Sequence, residues 1–215
     1  MEELYNKVLH ALQKEDKEQA VKLSIDALKN NEISVVDLYQ MILTPALASV
    51  IDEYKVIEDL IWREHVRSAI IRTIIESAYP YVLEERKQNE LKEDKVLVMC
   101  SEFEDHELGA RMVSDFFRIE GYDTTFAGAR TPLKTILKAI EIIEPTYLVI
   151  SVTNFYNFVS VKKTIESIRK ESAQDLTIVV GGRAISANPE AVKFVGADFE
   201  LNGYEAIKKL KEGVE

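Results

Sequence analysis

The chain has 215 residues, 47% hydrophobic and 30% charged, with a net charge of -10. That length buries a proper core as one large or two small domains, and the composition excludes disordered and collagen-like chains. The acidic balance, with no basic cluster to offset it, argues against direct binding to a nucleic-acid backbone. The lone Cys100 excludes an intrachain disulfide and, ending an apolar run, reads as a packed core thiol. Met1-Glu2-Glu3-Leu4 lacks the basic and apolar regions of a secretory signal. No apolar run is long enough to span a bilayer, so a cytoplasmic protein is expected.

Residues 1 to about 88 contain no glycine and carry helical patterns. The first places Leu4, Val8, Leu9 and Leu12 on one face, and the second Val21, Ile25 and Leu28, ending near Asn30-Asn31. The third starts around Ser34 and groups Val35, Leu38, Tyr39 and Ile42. Pro45 predicts a kink there, because proline removes a helical donor and its ring crowds the preceding turn. The fourth runs from about Ile57 with Leu60, Ile61, Ile70, Ile71 and Ile74, and Pro80 should kink or end it. Four amphipathic helices with short connections predict a four-helix bundle over residues 1–88.

A charged stretch, residues 84–95, reads as the interdomain linker. Over residues 89–215, strand and helix patterns then alternate. Strands are predicted at 96–100, 123–127, 147–152, 176–180 and 198–201. Helices are predicted at 108–119, 133–143, 159–170 and 189–194, with a last one from about Tyr204. Five βα units imply an α/β domain with a doubly wound five-stranded parallel sheet, flavodoxin-like if the order is 2-1-3-4-5. The switch point then lies between the first and third strands. The loops 101–109, 153–159 and Gly181-Gly182-Arg183 would open onto one crevice.

The first of these loops carries Glu104-Asp105-His106-Glu107-Leu108-Gly109. One imidazole projects there, a carboxylate lies two residues upstream, and a glycine three residues on permits close backbone approach. A dinucleotide would want G-x-G-x-x-G, and the loop has a single glycine. A phosphoryl receiver fits the acidic residues but needs an aspartate where the third strand ends at Ser151. No G-x-S-x-G elbow is present, and His10, His65, His106 and Cys100 share no zinc-ligand spacing. The crevice suits binding, and His106 a metal carried by a cofactor.

Glu104-x-His106-x-x-Gly109, then Ser151-x-Thr153, then Gly181-Gly182, resembles the three-part signature of cobalamin-binding domains. The helices resemble that family's capping bundle, with Glu64-His65 and, eleven residues before His65, Tyr54. The resemblance implies cobalamin held base-off, with His106 ligating cobalt and Glu104 orienting the imidazole. Asp105 and Gly109 would belong to the same loop. Ser151, Thr153, Gly181 and Gly182 would hold the nucleotide tail, while Tyr54, Glu64 and His65 would line the upper cavity.

Methyl carriers of this family usually begin the motif with aspartate. Glu104 and the Glu64-His65 pair are more similar to the adenosylcobalamin-dependent photoreceptor regulators. Those carry tryptophan at Tyr54, often histidine at Lys55, and a DNA-binding domain for which this chain has no room. The resemblance therefore implies a stand-alone sensor or signalling module, with adenosylcobalamin favoured over methylcobalamin. It would have a protein partner or a second copy but no turnover, nucleic acid or membrane. The alternative is a methylcobalamin carrier subunit of a methyltransferase system.

Overall fold

The computed structural model describes residues 1–53, 56–172, 175–188 and 190–210. By its own contacts the chain divides into two compact units, Met1–Glu85 and Arg86–Glu215.

The first unit is helical: α1 (Glu2–Gln13), α2 (Lys17–Lys29), α3 (Val35–Asp37), a π-helical segment (Leu38–Leu43), α4 (Thr44–Glu53) and α5 (Ile57–Arg86). Asp16 caps α2 by accepting from the Gln19 N–H at 2.9 Å, and Ser34 caps α3 by accepting from the Asp37 N–H at 3.0 Å. Pro45 does not break the third helical rod. The wide π turn just before it makes room for a residue that cannot donate, and the Thr44 hydroxyl bonds the Tyr39 carbonyl at 2.8 Å. Pro80 likewise lies inside α5, which runs on to Arg86 rather than ending there.

The apolar period locates most of this core, with Val8, Leu12, Val35, Leu38, Ile42, Ile71 and Ile74 buried. On α2 the buried face is Ala20, Ser24, Ala27 and Leu28, while Val21 and Ile25 are half-buried. The buried Ser24 hydroxyl is satisfied by the Ala20 carbonyl at 2.9 Å. Ile61, expected inside, is exposed. Arg67 on α5 is 2% exposed and bonds Glu53 of α4 through both terminal nitrogens, at 2.9 and 2.7 Å. It also donates to Ser49 Oγ and the Ala46 carbonyl, so one guanidinium fastens two helices.

The second unit holds β1 (Lys95–Cys100), β2 (Asp123–Gly128), β3 (Tyr147–Ser151), β4 (Thr177–Gly181) and β5 (Phe199–Leu201). All pairings are parallel, in the order β2-β1-β3-β4-β5. This is the expected α/β, Rossmann-like sheet with its switch point between β1 and β3. The crossovers are α6 (Leu108–Ile119), α7 (Leu133–Ile143), α8 (Phe158–Glu171), the short α9 (Arg183–Ser186) and α10 (Ala191–Val195); α11 (Tyr204–Lys208) follows β5. β1, β3 and β4 are buried nearly throughout, as central parallel strands must be, while edge strand β2 alternates buried and exposed. Leu97, Met99, Leu148, Ile150, Ile178 and Val180 form one core face with Val161 and Ile165 of α8.

The stretch expected to be a free linker is partly helix and partly tied to the sheet unit. Asn89 Nδ2 donates to the Ile119 carbonyl at 3.0 Å, and the Lys92 N–H to the Gly121 carbonyl at 2.9 Å. The Ile119 carbonyl ends α6, where backbone acceptors lack helical partners, and Gly121 lies just beyond it. Among the described residues, no helix is long and apolar enough to cross a membrane.

Candidate functional site

At the carboxyl edge of the sheet, β1 and β3 run side by side to Cys100 and Ser151, and β4 ends opposite Ser151 at Gly181. The chain leaving β1 turns back at Glu104, whose N–H donates to the Ser101 carbonyl at 3.0 Å. Glu104 is 1% exposed and gathers donors from two loops. Its Oε1 accepts from the His106 N–H at 3.2 Å and lies 2.5 Å from His106 Nδ1. Its Oε2 accepts from the Thr153 and Asn154 N–H groups at 2.9 and 3.0 Å and from Asn157 Nδ2 at 3.2 Å.

Burial would raise the Glu104 pKa, but the bonds from the His106 ring and from the Thr153, His106 and Asn154 N–H groups outweigh it and lower it to about 2. An ionised carboxylate only accepts, so Nδ1 of His106 carries the proton of that contact; in the neutral tautomer this leaves the lone pair on Nε2. The imidazole is 59% exposed while its carboxylate partner is sealed in. That is the arrangement of a metal-bound histidine and the carboxylate behind it. Cys100 beside the loop is inert: burial, with Glu104 and Glu107 nearby, pushes its thiol up to about 12. Among the described residues, no cluster of three His, Cys, Asp or Glu side chains could hold a bare metal ion.

The other expected site residues divide. Thr153 meets Glu104 through its backbone N–H rather than its hydroxyl. Asp105 forms a forked ion pair with Arg130, exposed on both sides. Gly109 opens α6, and a Cβ added there would meet nothing within 4 Å. Gly181 and Gly182 are required by the fold itself. A Cβ would come within 2.8 Å of the Leu201 carbonyl oxygen at the first and 2.6 Å of the Val152 carbonyl oxygen at the second, where φ is +103°. Glu64 and His65 belong to the helical unit. Glu64 accepts from Ser68 Oγ at 2.7 Å, and its other oxygen lies 3.6 Å from Nε2 of the exposed His65. Tyr54 and Lys55 lie outside the described residues.

Sequence reasoning missed Asn154, Asn157, Glu107 and Arg130. Asn157 is 7% exposed and joins the loops, since Nδ2 donates to the Phe103 carbonyl as well as to Glu104. A buried asparagine six residues past a strand end leaves no motif; only the Asn154 side chain, accepting from the Tyr156 N–H at 3.0 Å, is a recognisable turn signal. Ser101, 2% exposed, has an Oγ with no hydrogen-bond partner among the described residues. On the same loops Phe103, Phe155 and Tyr156 are exposed by 66%, 52% and 93%, large apolar side chains left uncovered at the carboxyl edge of the sheet.

Residues 94–209 match the family model described as the B12 binding domain. No curated protein matches the chain by sequence. Among solved structures, a monomethylamine corrinoid protein from Methanosarcina barkeri superposes with a TM-score of 0.84 at 16% identity, covering 100% of this chain and 99% of that one. A cobalamin-binding protein from Desulfitobacterium hafniense DCB-2 gives 0.53 at 18% identity, covering 98% of each chain. A methanol:cobalamin methyltransferase complex from M. barkeri gives 0.52 at 17% identity, covering 99% of this chain and 79% of that one. A model spanning more than half the residues, and including the whole loop with the buried glutamate and exposed histidine, makes this chain a member of the B12-binding domain family.

Proposed function

We propose that the chain is the corrinoid-carrying protein of a methyltransferase system, with His106 as the protein's ligand to cobalt. The observation that carries the ligand assignment is the His106–Glu104 pair, an exposed ring held by a buried anion. Two further features fit a corrinoid. Gly109, three residues after the histidine, presents no side chain and has open space where a Cβ would stand, and the buried Ser101 hydroxyl has no hydrogen-bond partner among the described residues. When bound, the corrinoid supplies a cobalt centre able to accept and release a methyl group.

The chain's own residues do the positioning. Glu104 fixes the Nδ1–H tautomer, and its charge raises the basicity of the ring nitrogen opposite. The Thr153 and Asn154 N–H groups and the Asn157 amide hold Glu104 in turn, so that the ring is aimed by two loops. Ser151 and Thr153 at the end of β3 are proposed to meet the nucleotide tail. Gly181 and Gly182 shape that wall by letting Leu201 and Val152 approach.

Support for the carrier over the adenosylcobalamin sensor comes from the extent of the likeness to the methylamine corrinoid protein, which is end to end in both chains. The sensor rests on Glu104 in place of aspartate and on Glu64-His65. Glu104 has one oxygen on His106 and the other on the Thr153, Asn154 and Asn157 donors, contacts that do not distinguish one upper ligand from another. The test is titration of the purified chain with methyl-, adenosyl- and hydroxocobalamin, followed by electron paramagnetic resonance of the Co(II) form. Nitrogen superhyperfine splitting from a protein imidazole is expected in the parent and absent in His106→Ala. Methylcobalamin should bind at least as tightly as the adenosyl form, with no change in elution after green light. A strong preference for the adenosyl form, with a light-dependent change in elution, would return the protein to the sensor class.

A further inference from the structure

Three of the four residues Glu104-Asp105-His106-Glu107 are acids, and each reaches out of the loop to a different anchor. Glu104 goes inward to the β3–α8 loop. Both residues flanking His106 go the other way, to the turn between β2 and α7. Glu107 Oε2 accepts from the Ala129 N–H at 3.1 Å, and Asp105 pairs with the Arg130 guanidinium, the contact to Nη2 being 2.6 Å. The Arg130 N–H donates to the Glu104 carbonyl at 3.3 Å. The turn is shaped for these contacts. Gly128 has φ +86°, with the Glu107 carboxylate 3.2 Å from where its Cβ would be, and Arg130 holds φ +50°, rare outside glycine. The buried Thr131 closes the turn by donating from Oγ1 to the Gly128 carbonyl at 3.4 Å.

The two tethers are unequal. The Asp105–Arg130 pair is exposed on both sides and is therefore weak. The Glu107 contact is a partly buried, charge-assisted bond to a main-chain N–H, set one residue from the imidazole. The geometry points to Glu107 as a positioning residue for His106: with the β2–α7 turn it holds the loop from the side opposite Glu104, so that the imidazole is presented to cobalt already oriented. The inference rests on the cobalt-ligand role of His106 proposed above. Loop ordering done before binding does not have to be done at binding, and a support that orders the loop without touching the ring is worth up to about tenfold in affinity.

The experiment compares Glu107→Gln, Glu107→Asp and Glu107→Leu with the parent and with His106→Ala. The probe is aquocobinamide, which lacks the nucleotide tail, so that its retention reports the histidine bond more directly than cobalamin does. The second readout is the 15N spectrum of the imidazole in the ligand-free chain, which reports its tautomer. Glu107→Gln keeps an acceptor at the same reach and should stay within about threefold of the parent. Glu107→Asp keeps the charge but draws it back, and Glu107→Leu removes the acceptor; both should lose about tenfold and broaden the Nδ1–H signature.

Aspartate and leucine variants with parent-like affinity and tautomer would overturn the positioning role while leaving His106 as the ligand. If His106→Ala retains aquocobinamide as well as the parent does, the cobalt-ligand reading fails instead. Should the leucine variant misfold, the glutamine–aspartate pair still separates reach from charge.

Discussion

Each unit holds a carboxylate against a backbone N–H, and the two are shifted in opposite directions. Glu85 in the helical unit accepts from the Val35 N–H at 2.6 Å, at the start of α3. Burial raises its pKa, the Val35 bond offsets this only in part, and the nearby Asp37 raises it further. Glu104 is the more deeply buried of the two, yet its pKa falls to about 2, because its oxygens collect three backbone N–H groups, an amide and an imidazole. Burial alone does not decide whether a carboxylate stays charged; the number of donors aimed at it does. The helical unit uses Glu85 to hold a helix end. The sheet unit spends five donors on keeping a full negative charge behind His106.

Removing the charge and the acceptors together should have the largest effect. Glu104→Leu leaves the Thr153, Asn154 and His106 N–H groups and the Asn157 amide facing hydrocarbon, an expected loss of at least about 4 kcal/mol. Trapping of the buried Cys100 thiol, the chain's single cysteine, reads opening of the sheet unit directly. A loss below about 1 kcal/mol would mean that the donors find water, and that the charge is less enclosed than its burial implies.

The charge alone is the next step down. A carboxylate lowered from 4.5 to about 2 contributes stability that is present above about pH 4.5 and lost as the pH falls toward 2. The full contribution is about 3 kcal/mol. The parent should therefore show an acid limb in Cys100 trapping over that window, and Glu104→Gln, which cannot titrate, should show a shallower one.

The sheet unit was the more legible region because its signals are local. Apolar runs such as 96–100 mark strands buried on both faces, and their alternation with helical patterns leaves few topologies. The Glu104–His106 contact is legible for the same reason, as two residues of one loop. Asn157 and Glu107 are not, since their partners lie 53 and 22 residues away and no spacing rule connects loops that only the fold brings together. In the helical unit the apolar period misjudges α2, where Ala20, Ser24 and Ala27 are buried ahead of Val21 and Ile25, so that burial does not follow side-chain hydrophobicity. Gly181 and Gly182 show the same limit. A double glycine after a strand signals close approach, but only the structure names Leu201 and Val152 as what approaches.

Glu85→Gln should have the smallest effect, and its sign tests the comparison most sharply. With its folded pKa raised, Glu85 contributes stability that is fully present below its unfolded value of 4.5 and lost as the pH rises through the folded value. At pH 7 the ionised carboxylate is thus a net cost, and an amide oxygen at the same position can still accept from the Val35 N–H. Glu85→Gln is expected to leave the helical unit unchanged or slightly more stable at pH 7, by less than about 1 kcal/mol. Any such gain should fade toward pH 4. Fluorescence of Trp62, the chain's single tryptophan and a residue of α5, reads that unit. A clear destabilisation at pH 7 would mean that the positive end of α3 holds the Glu85 charge more strongly than burial and Asp37 oppose it. Glu85 would then be a second carboxylate of the Glu104 kind, and donor number would no longer separate the two units.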